Sequence, residues 1–288
     1  MQFFKKPIYK TLVVSFLTSV FLFLFCKFFL IDIERVTSLS MSPTLKLNTW
    51  VWVKPLTFLS SKIKRNDIIQ LLLPLDKKDT NLQNGLFYKR IIGLPGDTIL
   101  IHQSQVYING EAVDINKYLL HNYVIKINLQ KDTMLFENTG IDEKYLIDDS
   151  CVYMVMLTRT NFHELIRKGI NIKVFREDSG LYDDVIFPIN PNIKWNKDFF
   201  GPLYIPKKND TLNIDTSNIC LYRKIISVYE QNSLEQKGEK IFINQKKTTY
   251  YVIRKNYYFA IGDNFDNSID SRFWGFIPEK AVRSKLIR

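Results

Sequence analysis

Residues 11–31 read TLVVSFLTSVFLFLFCKFFLI, and no other stretch limits this chain's options as much. Twenty of the 21 residues are uncharged; only Lys27 interrupts. As a helix the segment is about 31 Å long, enough to cross the hydrocarbon core of a bilayer. Lys27 lies near its end and can snorkel to the headgroups. Lys5, Lys6 and Lys10 precede it, and no acid occurs before Asp32. The positive-inside rule then predicts residues 1–10 in the cytoplasm and the chain after 31 on the outer side. The run is long for a cleavable leader, and no small-x-small site follows it promptly, so we read it as an uncleaved anchor. No second long apolar run occurs, which predicts a single span.

Beyond residue 32 the pattern is strand-like. Candidate strands are Trp50–Val53, Asp67–Leu73, Phe87–Ile92, Ile99–Ile108, Cys151–Leu157, Ile172–Phe175, Ile219–Tyr229, Ile241–Ile243, Tyr250–Ile253 and Tyr257–Ile261. Asn109-Gly110 is a hairpin signal. Phe162–Gly169 is the best short helix. Many short strands with turn signals predict antiparallel sheets or a barrel-like sandwich. Residues 114–250 are richer in Asn, Lys and Asp and less regular, which suggests an insertion between 32–113 and 251–288.

Formal net charge is +11 with 24% charged residues and 46% hydrophobic ones, which argues against disorder. The lysines are scattered, with no RNP motif, finger spacing or dense basic block. A basic surface beside anionic lipid fits better than nucleic acid binding. The three cysteines include no Cys-x-x-Cys, so neither a zinc nor an iron–sulfur site is expected. Cys151 and Cys220 are able to pair if exported, but spacing does not decide it.

Three segments carry chemistry. Ser38-Leu39-Ser40-Met41-Ser42-Pro43-Thr44-Leu45 follows the anchor closely, with Pro43 keeping the turn out of helix. Phe87-Tyr88-Lys89-Arg90-Ile91-Ile92-Gly93-Leu94-Pro95-Gly96-Asp97 puts Phe87, Lys89 and Ile91 on one strand face. A lysine among apolar neighbours has its pKa lowered toward the range a general base needs, unless it merely snorkels at a sheet edge. The third segment, Gly262 to Pro278, contains Asp263-Asn264-Phe265-Asp266-Asn267-Ser268-Ile269-Asp270-Ser271-Arg272. It lacks the glycine and terminal glutamate of a calcium loop, so no metal is expected. A polar loop braced by an Asp270–Arg272 pair fits better.

Taken together, the three segments resemble, in order and content, the motifs of bacterial type I signal peptidases. That resemblance covers about residues 32–113 and 251–282. It implies a mainly antiparallel β catalytic core with a β-rich cap insertion at 114–250, after one transmembrane helix at 11–31. It implies Ser40 as nucleophile and Lys89 as general base, without a cofactor. Ser38 joins the oxyanion hole, Ser268 orients the lysine amine, and Asp270 and Arg272 brace the loop. The implied partners are secretory preproteins with small-x-small cleavage sites and membrane lipid, near the export translocon and with no nucleic acid. Leu39, Phe265 and the missing glycine after Val282 depart from the family pattern. The alternative is a catalytically inactive, membrane-tethered β-domain acting as a binding module.

Among other hydrolases, a Ser-His-Asp enzyme lacks Gly-x-Ser-x-Gly, and His163-Glu164 lacks the second histidine of a zinc protease. A self-cleaving repressor of the Ser–Lys type is soluble and DNA-binding, which residues 11–31 contradict.

Overall fold

The computed structural model describes residues 8–55, 62–72, 86–113, 115, 118–126, 144–148, 152–174 and 177–287. Helix α1 (Ile8–Phe29) covers residues 11–29 of the expected 11–31 span. It is apolar on every side, and none of Ile8–Phe25 is buried against the rest of the chain. An all-round apolar helix with no protein cover is a candidate membrane span.

The remainder is mainly β. The largest sheet has seven strands in the order β1 (Asp32–Arg35), β2 (Trp50–Pro55), β20 (Val282–Leu286), β3 (Ile68–Leu71), β4 (Phe87–Gly93), β18 (Tyr257–Ile261) and β19 (Ile277–Pro278). Its pairs are all antiparallel. A second sheet runs β12 (Phe199–Tyr204), β5 (Thr98–His102), β6 (Gln105–Ile108) and β7 (Glu111–Ala112). A third runs β11 (Ile172–Val174), β8 (Leu120–Lys126), β10 (Val152–Thr158) and β9 (Lys144–Asp148). Two small sheets pair β13 (Thr211–Asn213) with β17 (Tyr250–Val252), and β14 (Leu234–Lys237) with β15 (Lys240–Ile243) and β16 (Lys246–Lys247). Strands of the 114–250 stretch therefore build their own sheet and also return to β5 and β17.

Strand β18 shows how the cores are divided. Its residues alternate faces, as any strand's must. Tyr257, Phe259 and Ile261 enter the largest apolar cluster, together with Ile92, Ile99 and Phe200. Tyr258 and Ala260 enter a second cluster with Ile69, Leu71, Ile91 and Trp274. Each fully buried aromatic or branched side chain contributes about 1.5–3 kcal/mol. A strand covered on both faces is a rigid platform, and β4 lies directly beside it.

Two expectations need correction. Ile219–Tyr229 is helical: α3 (Ile219–Lys224) continues into one π-helical turn, Ile225–Tyr229. Its buried residues are Ile219, Tyr222, Ile225, Ile226 and Tyr229, a helical spacing. The run Ile99–Ile108 is two strands, β5 and β6, joined by Gln103-Ser104 at φ 52° and 62°. The predicted Asn109-Gly110 turn is the next hairpin, at φ 54° and 86°. The predicted helix appears as α2 (Arg159–Arg167), capped by the Thr158 hydroxyl. Cys220 sits half-buried on α3, whereas Cys151 lies outside the described residues, and with it the question of their pairing.

Candidate active site

The Ser40 turn follows β1 and is pinned by its own apolar residues. Met41 and Leu45 are buried with Val36, Val53, Ile68 and Tyr88. The Leu45 N–H donates to the Met41 carbonyl and that of Ser42 to the Leu39 carbonyl. From the other side Asn264 holds the turn, its backbone N–H donating to Ser40 O at 3.1 Å and its side-chain amide to Leu39 O at 3.3 Å. Leu39 itself is 43% exposed, so its bulk faces outward from the turn.

Lys89 lies on β4 between Phe87 and Ile91, and is 1% exposed. Its Nζ donates to Ser40 Oγ at 2.6 Å and lies 5.9 Å from the centre of the Phe87 ring. Burial is the main cause that lowers its pKa from the ordinary value near 10.5 to about 8; Arg272 acts in the same direction, while Asp270 and Asp263 oppose it. Ser38 Oγ is 3.0 Å from Ser40 Oγ. Ser38, Ser40 and Lys89 thus form one hydrogen-bonded line, although 49 residues separate Ser40 from Lys89.

The loop after β18 supplies the frame. Asp270 accepts from Arg272 Nε at 2.9 Å and Nη2 at 2.8 Å, and from the Gly262 N–H at 3.0 Å. Both side chains are fully buried. The guanidinium also lies 3.8 Å from the centre of the Phe265 ring. The aromatic residue at 265 therefore serves as a stacking floor, in a dry setting where such contacts are worth about 2 kcal/mol. Ser268 Oγ is buried and has no hydrogen-bond partner among the described residues. It makes no hydrogen bond to Lys89 here, because the amine is turned toward Ser40.

Sequence reasoning missed one group, Asp263. It accepts from Arg90 Nε at 2.7 Å and Nη2 at 2.5 Å, and from Thr44 Oγ1 at 2.5 Å. The Arg90 guanidinium also covers the Tyr118 ring at 4.5 Å. Asp263 therefore ties the serine turn, the lysine strand and the loop together. The available signal was Arg90 on the strand face opposite Lys89, an arginine in an apolar run that needs an acid.

Gly262 is the tightest point. A Cβ there would lie 2.2 Å from Ser268 Oγ and 2.3 Å from the Ser40 carbonyl oxygen. We expect Gly262→Ala to lose at least tenfold in kcat/KM and about 1–3 kcal/mol of stability, because the Ser40 backbone must move. Steady-state kinetics beside thermal melting checks both.

The signal peptidase family model, peptidase S26, matches residues 9–161 and 204–287. The chain belongs to this family. The signal peptidase I of Buchnera aphidicola subsp. Acyrthosiphon pisum is 27% identical over 272 residues, covering 90% of this chain and 68% of that protein. That of Buchnera aphidicola subsp. Schizaphis graminum is 28% identical over 290 residues, or 99% and 75%. That of Aquifex aeolicus is 26% identical over 262 residues, or 91% and 76%. The unmatched residues 162–203 of this signal peptidase family member still touch the site's frame: the Phe187 N–H donates to the Arg272 carbonyl at 2.8 Å.

Proposed function

We propose that this family member removes signal peptides from exported preproteins through Ser40 and Lys89, and the observation that carries the roles is the 2.6 Å contact between a serine hydroxyl and a buried lysine amine. A neutral Lys89 takes the Ser40 proton as Oγ attacks the scissile carbonyl. An acyl-enzyme forms, the amine protonates the leaving group, and Lys89 then activates water for deacylation. Ser38 and the Ser40 N–H face the developing oxyanion. As Oγ turns to the substrate, the unpaired Ser268 hydroxyl accepts from the lysine amine and holds it. Asp270 and Arg272 brace the loop that carries Ser268.

Among the described strands β1 is an edge, paired on one side only, since the sheet order begins there. An extended preprotein segment adds beside Ile33–Thr37, and shallow pockets select small side chains. Helix α1 anchors the enzyme with residues 1–10 in the cytoplasm and the site on the outer face, beside lipid and the export translocon. In this division of the chain, 32–113 and 251–288 form the catalytic core and 114–250 the cap.

The base must be neutral, so activity rises with pH. With a Lys89 pKa of about 8, log kcat/KM should climb with unit slope below pH 8 and level off above it. Ser40→Ala should lose activity about 10³-fold or more across the range. A preprotein cleavage assay from pH 6 to 10 tests both; a Ser40→Ala enzyme that cleaves like the parent sinks the assignment.

A further inference from the structure

All three histidines of this 288-residue chain line one cleft of about 310 Å³, and none belongs to the Ser40–Lys89 site. The cleft opens between the sheet of β5–β6 and the sheet of β8–β10. Strand and helix geometry explains the convergence. His121 and Tyr123 are two apart on β8 and share a face. Arg159 and His163 are four apart on α2 and share a face, with Phe162 stacked on Tyr123 at 4.8 Å. His102 ends β5, and Tyr107 faces the cleft from β6.

Among the described residues the lining has one arginine, three imidazoles and two tyrosines, and no carboxylate. The guanidinium is already oriented: Arg159 Nη1 donates to Gln105 Oε1 at 3.1 Å. Behind the wall, Asp266 Oδ2 lies 3.9 Å from His121 Nδ1 and accepts from the Asn122 N–H at 2.6 Å. Lys197, 3.7 Å from the other Asp266 oxygen, shares that carboxylate. No metal-ligating cluster occurs among the described residues, so the imidazoles are not gathered as a metal site. Donors from three elements around a hollow larger than a carboxylate suit a tetrahedral anion, and an arginine fork suits phosphate oxygens.

We infer that this cleft binds a phosphate group, supplied either by a phospholipid headgroup or by free phosphate. Occupancy would also reach the catalytic loop, because His121 packs on Phe265 at 4.8 Å and the Leu120 N–H donates to Asp263 O at 2.7 Å. The site stands independently of the roles given to Ser40 and Lys89.

The three histidines make the test direct. The full chain, labelled with 15N-histidine in nonionic detergent, gives three imidazole signals, and all of them report the cleft. Inorganic phosphate, titrated against chloride at constant ionic strength, should shift all three saturably. Arg159→Gln should weaken the response at least tenfold, and Arg159→Lys, which keeps charge but not the fork, should fall between. Unchanged signal dispersion in ligand-free Arg159→Gln shows that it folds. Nanodiscs of phosphatidylcholine with and without phosphatidylglycerol separate the sources: shifts with phosphatidylglycerol alone assign lipid, and shifts with phosphate alone assign the free ion. Silence toward both overturns the site. So does a response to zinc or to a glutamate-rich peptide with none to phosphate.

Discussion

Lys89→Met is expected to reduce preprotein cleavage by about 10³-fold or more while leaving the protein as stable as the parent, or more so. The two readouts separate because the lysine is chemically useful and structurally costly. Its amine is sealed at 1% exposure beside Phe87 and Ile91, where methionine fits without a cavity. Burial from near 10.5 to about 8 means that charging this amine in the folded chain costs about 3 kcal/mol. Below pH 8 folded and unfolded chains both hold the proton, and the full cost is present. Between about 8 and 10.5 the unfolded chain holds more of it, so this contribution makes the parent more stable as pH rises. Above that window neither holds it and the cost is gone. Denaturant melts at pH 7 and pH 10 should show Lys89→Met gaining more on the parent at the lower pH. Lys89→Arg should be inactive at every pH, because a guanidinium does not deprotonate. A Lys89→Met enzyme with parental kcat/KM removes the general base from the mechanism.

Asp263→Ala should have the largest effect on stability, about 3–5 kcal/mol. It leaves the fully buried Arg90 guanidinium without its carboxylate and cuts Thr44 loose from the loop. Activity should fall too, since the serine turn and the lysine strand lose their common tether. Adding Arg90→Met should recover part of the stability, because the unpaired charge is gone, but none of the Thr44 contact. A double-mutant cycle read by denaturant melting measures this; equal losses in the single and double variants would show that the ion pair is not what holds the loop.

The comparison of sequence with structure is uneven for reasons that single residues make plain. Strand β18 was legible to the residue, because Tyr257–Ile261 is a β-branched and aromatic run buried on both faces. The same composition misled at Ile219–Tyr229, where period rather than residue type carried the truth. The Gln103-Ser104 turn has no glycine to announce it. It is fixed from a distance, with Ser104 Oγ donating to Asp198 at 2.5 Å across 94 positions. At the site, Lys89 was legible because a cation in an apolar strand is conspicuous. Asp263 was not, because its partners lie 173 and 219 positions away and no local pattern links them. The meeting of three histidines was equally hidden, since it depends on how two sheets pack.

The sheet order has a consequence in time. Strand β20 fills the place between β2 and β3, yet its residues are translated after every other strand described. The Ser40 turn hangs from β1 and β2, on one side of that place, and Lys89 sits on β4, on the other. Until 282–286 emerge, no ladder among the described strands joins the two halves, and the long-range pairing that closes the gap is the slow kind. Before that strand closes the sheet, the serine turn and the lysine strand meet through Met41 and Leu45 packed on Ile68 and Tyr88, and through the Asp263 tether. If Ser40 and Lys89 act as proposed, the sheet that fixes their spacing is complete only when β20 takes its place between β2 and β3.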